Sequence, residues 1–125
     1  MSAKAAVSGS ISEVPSVYTV CAGMATDVGR VRCNNEDALS FVCPDDLVLR
    51  RRLGVLAVVA DGMGGHRGGE VASTLAVETI CRGYFSALPG EDRLQALERA
   101  MLDANHAICR AGLADPSLEG MGTTA

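Results

Sequence analysis

The chain contains no tryptophan, and Tyr18, Tyr84, Phe41 and Phe85 are its only aromatic residues. A surface that stacks bases is therefore poorly supplied. Positive charge is also scarce: eleven Lys and Arg against fifteen Asp and Glu leave a net charge of -4. That is the wrong sign for a protein that neutralises a phosphate backbone, so nucleic acid is not an expected partner. The one basic run, Arg50-Arg51-Arg52, follows Asp45-Asp46 closely and reads as a solvated loop. The cysteines lack a pattern: Cys21, Cys33, Cys43, Cys81 and Cys109 are odd in number and never at CxxC spacing. This argues against a zinc clip or a disulfide framework and for a reducing, cytoplasmic setting. No apolar stretch approaches the ~18 residues of a membrane span, so no membrane is expected. The start, Met1 to Ser10, lacks the continuous apolar segment of a secretory signal, and residues 1–16 read as a flexible tail. There is no internal repeat.

What is present is an ordinary globular composition, 48% hydrophobic and 21% charged, with length for one domain over residues 17–125. Val17 to Ala25 is β-compatible and predicts a first strand, with a bend at Asp27-Val28-Gly29. Asp37 to Cys43 predicts a second strand, buried to a degree on both faces and stopped by Pro44. Gly54 to Ala60, an unbroken apolar run, is the candidate for a central strand. Helical spacing of Ala72, Leu75, Ala76 and Ile80 predicts a helix over about 70–82. A stripe of Leu94, Leu97, Met101 and Ile108 predicts another over about 91–111, ended by Gly112. The last residues, Gly120 to Ala125, look like the opening of a further strand.

Three places carry candidate chemistry. Arg32 with Glu36-Asp37 offers a guanidinium beside two carboxylates; adjacent residues at a strand start point to opposite faces, so one of the two enters a given pocket directly and the other supports it. A polar turn before a strand has the same look. Asp61 ends the buried run, where an ionised carboxylate needs hydrogen bonds, a partner or a metal to offset its desolvation. Asp-Gly is equally a common turn. Five glycines between Gly62 and Gly69 then allow close approach of backbone to a ligand, but the phosphate-loop GK[ST] is missing and GxGxxG fails at Arg67. His66 in that segment is open to acid, base, ligand or solvent-facing roles. His106 and the cysteines read as bystanders.

The ordered set TDVGRVRCNNEDA at 26–38, VADGMGGHRGGEVAS at 59–73 and GMGTTA at 120–125 resembles the metal-dependent type 2C protein serine/threonine phosphatase family in its bacterial form. The resemblance implies an α+β fold, a four-layer α-β-β-α sandwich with a binuclear Mn²⁺ or Mg²⁺ site at one end of its two sheets. It implies Asp61 as the bridging ligand, the Gly62 carbonyl and Glu36 as ligands of one ion, Asp37 as their support and Arg32 as the holder of substrate phosphate. Hard cations do want oxygen donors, and a guanidinium does grip phosphate by a fork. The implied reaction is hydrolysis of phosphoserine or phosphothreonine proteins, the products of a Ser/Thr kinase, by a metal-bridging hydroxide. Many eukaryotic members carry a histidine directly after Asp-Gly, proposed as the acid for the leaving group. Met63 stands there, and the motif does not carry that role over to His66. The family domain is about twice this long, with later Asp motifs that have no counterpart here, so the expectation is its N-terminal part, inactive by itself. The rival expectation is a non-catalytic, phosphatase-like segment that binds or regulates; a nucleotide module ranks last, for want of a phosphate-cradling lysine.

Overall fold

The computed structural model of the chain describes residues 19–63 and 68–125. The expected tail at 1–16 and the start of the expected first strand lie outside them. From Thr19 to Val28 the chain forms no strand, and Val20, Met24 and Val28 are exposed. β-compatible residues need a neighbour to pair with, and this segment has none among the described residues.

Strand β1, Asp37–Val42, is where the sequence places it. After Pro44 comes a helix the sequence reading took for a loop: α1, Leu47–Leu53, which includes all three arginines of the basic run. The Asp46 carboxylate caps it by accepting from the Val48 and Leu49 N–H groups at 2.8 and 3.2 Å. The arginines stand at its negative end, and Gly54, at φ 81°, closes it. Strand β2, Leu56–Met63, starts later than expected and runs through the Asp61-Gly62 pair instead of turning there. Helix α2, Gly68–Phe85, and helix α3, Arg93–Ala114, follow; Gly112 lies inside α3 and does not end it. Asp92 and Gln95 form a reciprocal capping box at the start of α3. A 3₁₀ turn at Pro116–Leu118 leads to the short strand β3, Gly122–Thr123.

The strands form one antiparallel sheet in the order β1-β2-β3, with β2 central. Val58, Ala60 and Gly62 are buried, Ala57, Val59 and Asp61 exposed. Among the described residues the strand is thus covered on one face, not on both. The covering layer is α2 and α3, whose Ala76, Val77, Ile80 and Ala104 pack on Val58 and Ala60. Of the expected stripe on α3, Leu97 and Ile108 pack against this core, whereas Leu94 is 73% exposed and Met101 39%. The buried residues of α3 are Ala96, Ala100 and Ala104, four apart. The reason is close approach to α2: a Cβ on Gly83 would lie 3.1 Å from the Ala100 Cβ, so only small side chains fit at that crossing.

Candidate functional site

Register decides which acidic residues meet. Asp37 of β1 lies directly opposite Asp61 of β2. The flanking bond runs from the Gly62 N–H to the Glu36 carbonyl at 3.0 Å, which makes Asp37 and Asp61 a non-hydrogen-bonded pair, the kind whose side chains stand closest. Both are exposed, on the face away from the helices. Like charges directly opposite each other destabilise a sheet, so the pair carries a repulsion that positive charge nearby relieves.

Glu36 takes a different place. Its side chain is 16% exposed, and its carboxyl lies against Gly69 in the first turn of α2, so close that a Cβ on Gly69 would be 2.8 Å from the carboxyl carbon. The positive end of a helix favours a carboxylate there. Gly62 is held as tightly: a Cβ on it would collide with the Gly69 carbonyl and lie 2.7 Å from the Glu36 carbonyl oxygen. Among the described residues no hydrogen bond to the Gly62 carbonyl oxygen is found outside the strand ladder.

Asp61 is fixed through its backbone. Its N–H donates to the Thr124 hydroxyl at 3.2 Å, and its carbonyl accepts from the Thr124 N–H and the Thr123 hydroxyl, each at 2.9 Å. Its carboxylate receives no hydrogen bond among the described residues. Arg32 reaches Glu36 at 3.4 Å with a side chain 66% exposed. An ion pair this open is worth little and releases the guanidinium easily. With Cys33, Asn34 and Glu36 it lines a pocket of about 440 Å³.

Arg32, Glu36, Gly62 and Gly69 are therefore linked by contact, and Asp37 and Asp61 by register. His66 lies outside the described residues. Sequence reasoning missed Thr26 and Asn35, which hydrogen-bond around Asp37, and the roles of Gly69, Thr123 and Thr124. Asn35, two residues before Asp37, was the available signal, because asparagine commonly bonds to the backbone N–H two residues on.

Oxygen atoms at strand ends, an arginine beside them and a helical layer on an antiparallel sheet define the class as α+β. The comparisons are more specific. The family model Protein phosphatase 2C matches residues 31–125. The serine/threonine protein phosphatase PstP of Mycobacterium tuberculosis is 39% identical over 99 residues, which are 79% of this chain and 17% of that protein. The serine/threonine phosphatase stp of Listeria monocytogenes is 35% identical over 103 residues, 79% of this chain and 38% of that protein. The crystal structure of the Mycobacterium tuberculosis phosphatase PstP/Ppp superposes with a TM-score of 0.58 at 37% identity, covering 77% of this chain and 36% of that one. The chain belongs to the protein phosphatase 2C family, and it spans well under half the length of these relatives. The family is metal-dependent in general.

Proposed function

We propose that this chain supplies one wall of the active site of a metal-dependent protein serine/threonine phosphatase, with residues 17–125 as the N-terminal part of the catalytic domain. The observation that carries the reading is the Asp37–Asp61 opposition, one residue from an inward-turned Glu36 and from the Gly62 carbonyl. These donors suit two Mn²⁺ or Mg²⁺ ions in kind, being all hard oxygen atoms. In number they are a partial set: among the described residues no three His, Cys, Asp or Glu side chains converge as a metal cluster. Asp61, the Gly62 carbonyl and Glu36 would hold the ions, Asp37 would support them, and water or further carboxylates would complete the coordination. Bound dications supply an activated water and neutralise charge on the phosphoester.

The chain's own residues do the rest. Arg32 leaves its loose pairing with Glu36 to fork onto the substrate phosphate, a charge-assisted contact that orients phosphoserine or phosphothreonine. Glu36, shielded by the start of α2, keeps its carboxylate in one place. Thr123 and Thr124 hold the Asp61 backbone, so the carboxylate projects from a fixed point. Substrates on this reading are phosphoproteins made by a Ser/Thr kinase. The five free thiols fit a reducing, cytoplasmic setting, and among the described residues no helix is long and apolar enough to cross a membrane.

That Glu36, Asp37 and Asp61 do not converge as one cluster among the described residues favours the second reading, a phosphatase-like segment that binds without catalysis. One experiment separates them. The natural full-length protein is assayed with Mn²⁺ on a phosphothreonine peptide, beside Asp61→Asn. Metal-dependent hydrolysis abolished in the variant is expected, because an amide lacks the charge needed between two dications; peptide binding with no turnover in either protein would favour the second reading.

A further inference from the structure

Two carboxylates facing each other from neighbouring strands repel, and both Asp37 and Asp61 are exposed enough to swing apart into solvent. Something must hold Asp37 in place for it to support a cation held at Asp61. The structure places a closed ring of hydrogen bonds there. The Asn35 Nδ2 donates to the Thr26 Oγ1 at 2.8 Å, the Thr26 Oγ1 donates to the Asp37 Oδ2 at 3.3 Å, and the Asp37 N–H donates back to the Asn35 Oδ1 at 3.0 Å. The polarity of the ring is set by chemistry. An amide nitrogen can only donate, so the Thr26 oxygen accepts from Asn35 and its single hydrogen is left for the carboxylate. Thr26 comes from the segment before β1, eleven residues from Asp37, so the ring also ties that segment to the strand end.

We infer that Thr26 and Asn35 are positioning residues that hold the Asp37 carboxylate opposite Asp61. The inference rests on the phosphatase reading, since it gives the held carboxylate a dication to support. A local turn would use only the bond from the Asp37 N–H to Asn35, which fixes backbone and not the carboxylate. The two bonds through Thr26 act on the side chain itself. Hydrogen-bond partners behind metal-supporting groups commonly set affinity by 10- to 100-fold.

The test uses the natural full-length protein and Mn²⁺ itself, with binding measured by calorimetry and turnover measured on a phosphothreonine peptide. Thr26→Val keeps the shape and removes the hydroxyl. It is expected to weaken Mn²⁺ binding about 10-fold and to lower kcat with KM for the peptide unchanged, at an unaltered urea midpoint. Thr26→Ser should restore affinity to within about twofold of the parent protein. Asn35→Asp keeps the acceptor for the Asp37 N–H and loses the donor to Thr26. A positioning role predicts weaker Mn²⁺ binding in it, whereas mere added charge predicts tighter binding. Parent-like affinity in Thr26→Val, or tighter binding in Asn35→Asp, overturns the inference and leaves the phosphatase reading intact. A parent protein that binds no Mn²⁺ overturns both.

Discussion

At the scale of single residues, the site depends on the absence of a side chain as much as on any carboxylate. Gly62 lets β2 pass between the start of α2 and the start of β1, and a methyl group there would meet the Gly69 and Glu36 carbonyls together. Both obstacles are backbone, which cannot rotate away. Gly62→Ala is expected to lower stability by about 2 kcal/mol through overpacking, read as a lower urea midpoint. An unchanged midpoint would mean that the two segments do not approach so closely. Arg32→Ala acts differently, because the guanidinium is exposed and, among the described residues, pairs with Glu36 alone. It should raise KM for a phosphopeptide in the natural full-length protein while Mn²⁺ affinity stays the same; a matching loss of metal affinity would make Arg32 part of the metal scaffold. The acidic residues and Arg32 were legible as types because carboxylates beside apolar strands are costly unless they serve something. The facing of Asp37 and Asp61 was not legible, since it depends on strand register, which only the paired sheet fixes.

At the scale of elements, the signals that succeeded were those with a long period. Helices α2 and α3 showed through many turns of spacing, while α1, only seven residues long, was hidden by its arginines. Its start and stop signals, Asp46 and Gly54, were present, but a basic run with so few apolar residues resembles a loop. What holds α1 is tertiary. The Tyr84 hydroxyl donates to the Leu53 carbonyl at 2.6 Å, and Arg93 donates to the Arg52 and Arg51 carbonyls at 2.8 and 3.0 Å. These satisfy carbonyls that a helix end leaves open. Tyr84→Phe strands a buried acceptor and should cost about 1 kcal/mol, seen in urea unfolding. The turn between α2 and α3 has a pH-sensitive clasp. The Arg99 side chain, and then the Leu88 N–H, hydrogen-bond Glu91 and hold its carboxyl below the ordinary carboxylate value. A lowered folded value means that its share of stability is complete above the ordinary value of 4.5 and is lost as pH falls through the lower, folded one. Glu91→Gln should therefore flatten the acid limb of the urea-midpoint profile, leaving the slope near neutrality unchanged.

At the scale of the whole molecule, the described residues build two layers, one of helices and one of sheet, and β2 is the hinge of both. Its buried side packs on α2 and α3, while its other side presents Ala57, Val59 at 67% exposure and Met63 at 57%, with Leu39 and Phe41 of β1 only partly covered. Alternation along β2 was therefore stronger than its apolar run implied: the sequence is hydrophobic on both faces, yet only one is covered among the described residues. The run reads as doubly buried because its residues are apolar on both faces. A continuous apolar sheet face left open favours association. The 125 residues expressed alone are thus expected to self-associate and to bind a hydrophobic dye. Val59→Lys, which places a charge at the centre of the face, should shift light-scattering mass toward the monomer. The acidic set is partial among the described residues, so at ~10 μM protein and millimolar Mn²⁺ the chain should not hydrolyse a phosphothreonine peptide, because two dications need more carboxylates than these residues gather. A monodisperse, dye-silent monomer would show that the face is closed by other means. Mn²⁺-dependent turnover lost in Asp61→Asn would show that association completes the site.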